Sequence, residues 1–75
     1  MGDVPVLKPR EVEARLFVLG FLLARQRGSH RQYRHPDGRA TTVPHHSHDI
    51  APALLRQIAK DIGVPVRDFV DGRGD

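Results

Sequence analysis

The sequence reads as an α+β domain of the order α-β-β-β-α, with a three-stranded antiparallel sheet that carries both helices on one face. Three observations lead there. Apolar residues recur at helical spacing near both ends of the chain, as Val12, Leu16 and Leu19 and again as Leu55, Ile58 and Ile62. Between them, short extended-looking segments are separated by Gly28-Ser29 and by Pro36-Asp37-Gly38, both of which are turn chemistry. The 75 residues include no cysteine, so an aliphatic core has to hold the domain without disulfides or a thiolate zinc site. A chain of this size buries only about 60% of its unfolded surface, so each core position counts. Two amphipathic helices can cover one face of the sheet and leave the other wet.

The elements follow in order. Residues 1–7 read as an extended lead-in. Pro9 suits a first helical turn, where its missing N–H is no loss, and Glu11 and Glu13 lie at the end of the helix dipole that favours acids. Gly20 is a natural stop, so the first helix is expected from about Pro9 to Leu19. Phe21 to Arg25 is an apolar run ending in charge and reads as a strand; His30 to His35 is its partner across the Gly28-Ser29 turn. The side-chain period of a strand puts His30, Gln32 and Arg34 on one face and Ser29, Arg31, Tyr33 and His35 on the other. Arg39 to Val43 makes the third strand, which Pro44 ends. Pro52 starts the second long helix and Gly63 closes it; Val64-Pro65-Val66 opens a short turn from which Phe69 and Val70 cap the core.

Charge is unevenly spread. The net charge is +3, yet Arg25, Arg27, Arg31, Arg34 and Arg39 face only Asp37 within residues 25–39, a local +4. A confined basic stripe is the electrostatic footprint of a nucleic-acid binder, or else a solvated arginine-rich hairpin. No apolar run approaches the roughly 20 residues of a membrane span. Met1 to Pro5 lacks the basic flank and apolar block of a secretory signal, so a soluble, cytoplasmic protein with no membrane partner is expected.

Inside the basic stripe, Gly28-Ser29-His30 lies between Arg25-Gln26-Arg27 and Arg31-Gln32-Tyr33-Arg34. An imidazole that exchanges protons near neutral pH, ringed by guanidinium groups that grip phosphate oxygens, suits work on a phosphodiester. His45, His46 and His48 with Asp49 suggest a metal site at first sight. Adjacent histidines in a strand-like loop point apart, however, and the spacing is not that of a zinc finger, so no metal and no cofactor is expected. Tyr33 is expected in the core, with stacking on a base as the alternative.

Gly20-Phe21, Arg25 to His30, Tyr33 to Gly38 and Thr42-Val43-Pro44-His45-His46 together resemble the HicA toxins, also called YcfA-like proteins. The likeness spans roughly residues 6–70, so the chain reads as a single domain, 1–75, with short flexible termini. The resemblance implies a fold similar to that of a double-stranded-RNA-binding domain. It also implies an mRNA interferase, the toxin of a toxin–antitoxin pair, with His30 as the catalytic histidine and a HicB-type antitoxin covering the active surface. Three departures stand out: Ala53 follows Pro52 where the family often has glycine, Gln32 replaces an aliphatic residue, and only His46 fits the proline-x-histidine pattern.

On that reading His30 takes the proton from a ribose 2′-hydroxyl, a contribution on the order of 10²–10⁴-fold. Arg25, Arg27, Ser29, Arg31 and Arg34 are the expected RNA contacts, Arg27 and Arg34 foremost, since strand alternation prevents all the arginines from serving together. His46 is the candidate proton donor to the leaving 5′-oxygen. Such an enzyme needs no metal. The alternatives are a non-catalytic RNA-binding module using the same basic surface and, more remotely, a histidine-rich metal-binding regulator.

Overall fold

The computed structural model describes residues 4–45 and 48–72; the expectations for the extreme termini and for His46 lie outside the described residues. Helix α1 runs Pro9–Val18, with Pro9 in its first turn. The Glu11 carboxylate accepts the Lys8 N–H at 2.8 Å and so satisfies a backbone donor at the helix entry. The helix stops where Gly20 turns to φ +95°. There the Gly20 N–H bonds the Phe17 carbonyl at 3.0 Å and the Phe21 N–H bonds the Leu16 carbonyl at 2.9 Å. This is the Schellman pair, and it drops Phe21 into the core instead of into a strand.

Strand β1 is therefore Leu22–Arg27, shifted toward the turn relative to the expected Phe21–Arg25. Strands β2 (His30–Arg34) and β3 (Ala40–Pro44) complete an antiparallel meander in the order β1-β2-β3. Gly28 at φ +59° takes the first central position of the two-residue β1–β2 turn, as a type II′ hairpin requires. At the second turn the Asp37 carboxylate accepts the Arg39 N–H at 3.0 Å, so β3 begins one residue later than expected. Helix α2 spans Pro52–Ile62, as the periodicity predicts, and the segment expected as a short turn forms a five-residue helix α3, Val66–Val70, with Phe69 and Val70 buried in the core. The lead-in is paired: Leu7 and Ile50 form an isolated antiparallel bridge, in which the Ile50 N–H bonds the Leu7 carbonyl at 2.6 Å.

One core forms where the helices meet the sheet. Val12 and Leu16 of α1, Leu55, Ile58 and Ile62 of α2, and Phe69 of α3 close over Tyr33 and Val43, all buried. Thr41, the buried polar residue beside them, donates its hydroxyl to Asp61 at 3.0 Å. Both long helices lie against the β3 side, so every residue of β1 remains exposed. The α+β arrangement predicted from the sequence is thus the one observed. No helix among the described residues is long and apolar enough to cross a membrane.

Candidate nucleic-acid interface

Strand β2 sits in the middle of the sheet, and its alternation separates two chemistries. His30, Gln32 and Arg34 point to the open side, while Arg31 and Tyr33 point toward the helices. Register then decides what joins His30. Arg27 of β1 and Pro44 of β3 lie directly across from it, and Arg25 and Thr42 lie directly across from Gln32. Cross-strand neighbours of this kind hold their Cβ atoms within about 5.5 Å.

A β-bulge makes this grouping possible. Pairing slips between Leu23 and Arg25, which leaves Ala24 as an extra residue in β1. Strict alternation would put Arg25 and Arg27 on the same face as Leu23, which is paired with Tyr33 on the helix side. The extra residue resets the phase, so Leu23 keeps to the helix side while both arginines join His30 on the open side. Arg25, Arg27, His30, Gln32 and Thr42 together line a shallow open depression of about 180 Å³. Arg34 shares that sheet face but lines a separate hollow with Leu22, Ala24 and Pro36.

Arg31, expected among the RNA contacts, faces the helices instead. Its guanidinium meets the Glu13 carboxylate of α1 at 3.0 Å. The Tyr33 hydroxyl donates to the same carboxylate oxygen at 2.5 Å. With its single proton committed there, the phenol oxygen lies 3.0 Å from His45 Nε2 and can accept from it. The His45 backbone N–H bonds the Ser29 carbonyl at 2.6 Å, so Ser29 is held at the turn by its backbone. This cluster braces the residues on either side of His30 from behind the sheet.

The electrostatics of the cluster are self-consistent. Burial opposes ionisation of Glu13, but hydrogen bonds from Tyr33 and Arg31 and the nearby positive charge outweigh it, and its pKa falls below the ordinary carboxyl value. Burial first, and the neighbouring Glu13 next, push the Tyr33 phenol well above its usual range. Burial, then the Arg31 charge, hold His45 below the ordinary imidazole value. A carboxylate, a neutral phenol and a neutral imidazole coexist at neutral pH. Tyr33 is in the core, as preferred from the sequence, and Phe17 meets it edge-on at 6.0 Å.

The fifth arginine of the basic stripe is also inward-looking. Arg39 pairs with Asp37 at 2.8 Å, lies over the Phe21 ring at 5.2 Å and donates to the Ile62 carbonyl at the end of α2. The open face thus carries Arg25, Arg27 and Arg34. Sequence reasoning left out Gln32 and Thr42 as site residues; the shared parity of Gln32 with His30 was the available signal, whereas Thr42 depended on the register of β3. Among the described residues, no group of three or more His, Asp or Glu side chains comes together to hold a metal ion.

A family model described as "HicA toxin of bacterial toxin-antitoxin" matches residues 9–64, from the start of α1 to just beyond the end of α2. The chain belongs to the HicA toxin family. No match is found among the curated proteins. Membership gives this HicA protein the role of the toxin in a toxin–antitoxin pair, and an antitoxin as its partner. Two of the segments that carry the resemblance, Arg25 to His30 and Tyr33 to Gly38, lie in the β1–β2 hairpin and the turn into β3.

Proposed function

We propose that this HicA protein is a metal-independent endoribonuclease that cuts mRNA in the cytoplasm, with His30 as general base. The observation that carries the reading is the position of His30. It is exposed on the central strand, directly opposite Arg27 and in one depression with Arg25. His30 accepts the proton of a ribose 2′-hydroxyl, and that oxygen attacks the adjacent phosphorus in line. The P–O5′ bond breaks, leaving a 2′,3′-cyclic phosphate and a 5′-oxygen that takes up a proton, for which His46 is the proposed donor. Arg25 and Arg27 offset the negative charge that builds on the non-bridging oxygens, and Arg34 holds the strand farther along the sheet. The nucleophile is the substrate's own hydroxyl and the base is a side chain, so the scheme requires no metal ion. A HicB-type antitoxin that presents acids to the same face would silence the enzyme by covering it.

The test is single-stranded RNA incubated with wild type and with His30→Ala in EDTA, beside a 2′-deoxy copy of the substrate. Wild type cleaves only the RNA, and His30→Ala is slower by at least about 100-fold. Full activity in the alanine variant, or cutting of the deoxy strand, removes the mechanism. RNA retained intact by wild type, with salt-sensitive affinity, identifies a binding module instead.

A further inference from the structure

Side chains on the open face fall into rows that cross the sheet. Arg27, His30 and Pro44 form one row, and Arg25, Gln32 and Thr42 form the next. Same-face neighbours along a strand are about 6.5–7 Å apart. The second row is therefore within reach of a nucleotide joined to a phosphate held at the first. Its middle member is Gln32, a half-buried residue of the central strand whose amide makes no side-chain hydrogen bond among the described residues. Once a ligand covers such an amide and displaces its water, only a ligand with the matching donor and acceptor restores its hydrogen bonds, so the amide discriminates among ligands. An amide presents a donor and an acceptor side by side. That pattern complements the edge of a nucleobase, whereas a phosphate or a carboxylate offers acceptors alone.

We propose that Arg25, Gln32 and Thr42 form a base-reading subsite for the nucleotide beside the cleaved linkage. Gln32 hydrogen-bonds the base edge, Arg25 holds that nucleotide's phosphate, and the Thr42 hydroxyl supplies a further polar contact on the opposite side. The relation of the subsite to the cut rests on the nuclease reading above; its affinity for RNA does not.

A random-sequence single-stranded RNA cut by wild type and by Gln32→Ala, with the new ends sequenced, tests the assignment. Wild type favours one base beside the cut by at least about fivefold. In Gln32→Ala that ratio falls toward one, and Gln32→Glu, which lacks the donor, moves the preference to a different base. Gln32→Thr, a strand-favouring replacement, gives the same reading should the alanine variant melt below the assay temperature. An unchanged preference in the variants, or none in wild type, overturns the subsite and leaves the row as a contact for a protein partner. Should wild type cut no RNA, the nuclease reading fails and the subsite is judged by fluorescence anisotropy with four homopolymer RNAs. A fivefold spread in affinity that Gln32→Ala abolishes supports it; equal affinities, or a spread the variant keeps, overturn it.

Discussion

Tyr33 shows how one side chain can serve the interior and the polar cluster behind His30 together. Its ring is fully buried in the core, while its hydroxyl links Glu13 on α1 to His45 just beyond β3. Tyr33→Phe keeps the packing and deletes the link, leaving a carboxylate and an imidazole short of a partner. A loss of about 1–3 kcal/mol in a denaturant melt is expected; no measurable loss would show the link to be idle. The same cluster sets an acid limit on the fold. His45 is harder to protonate folded than unfolded, so stability declines as pH falls below its ordinary 6.5. Glu13 has a depressed folded pKa, so its contribution is present above the ordinary 4.5 and is lost as pH drops through the lower folded value. Melting temperatures measured from pH 8 to pH 3 should fall in both ranges, and Glu13→Gln should shrink the more acidic fall (about pH 4.5 and below), leaving the share of Asp37, whose carboxyl the Arg39 hydrogen bonds also hold below its ordinary value. A flat profile for wild type would contradict the assignment. None of this was readable from the chain, where Glu13 looks like an ordinary acid near a helix start; its pairing depends on Arg31 and Tyr33 of β2 reaching α1 on the helix side of the sheet.

The elements themselves were legible because their punctuation is strong. Proline at each long helix start and glycine at each end located α1 and α2 to within a residue, and the two turn sequences located the hairpins. What stayed hidden was phase. The Ala24 bulge has no sequence signature, yet it determines that Arg25 and Arg27 share the face of His30. Phe21 likewise reads as strand until the Schellman ending of α1 claims it. The two glycine stops are not equivalent. An alanine Cβ at Gly20 would come within 3.0 Å of His35 Nε2 at φ +95°, whereas at Gly63 the nearest atom is 4.0 Å away at φ +75°. Both substitutions pay the left-handed penalty of roughly 1–2 kcal/mol. Gly20→Ala should cost more, and thermal melts should place it several degrees below Gly63→Ala, at about 4–8 °C per kcal/mol for a domain of this size. The reverse order would mean that His35 yields freely.

Across the whole molecule, the basic stripe divides in two. Arg31 and Arg39 spend their charge on Glu13 and Asp37, while Arg25, Arg27 and Arg34 remain on the open face. Composition revealed the excess of positive charge but not this partition, which only strand parity and ion pairing decide. Two or three phosphate contacts on single-stranded nucleic acid correspond to a salt slope of about −1.4 to −2.1 for log K against log salt. Binding of a 2′-deoxy oligonucleotide across a salt series should give that value. Arg27→Gln should flatten the slope by about 0.7. Arg31→Gln should instead lower the melting temperature and leave the slope in place; a slope near zero in wild type would remove the electrostatic surface altogether. The alternation along β2 also bears on inheritance. In cells forced to survive this toxin without its antitoxin, escape mutations in codons 30–34 should alternate in kind along the gene. Lesions at Arg31 and Tyr33 should deplete the protein through misfolding and degradation, whereas lesions at His30 and Gln32 should leave normal amounts of an altered or inert product.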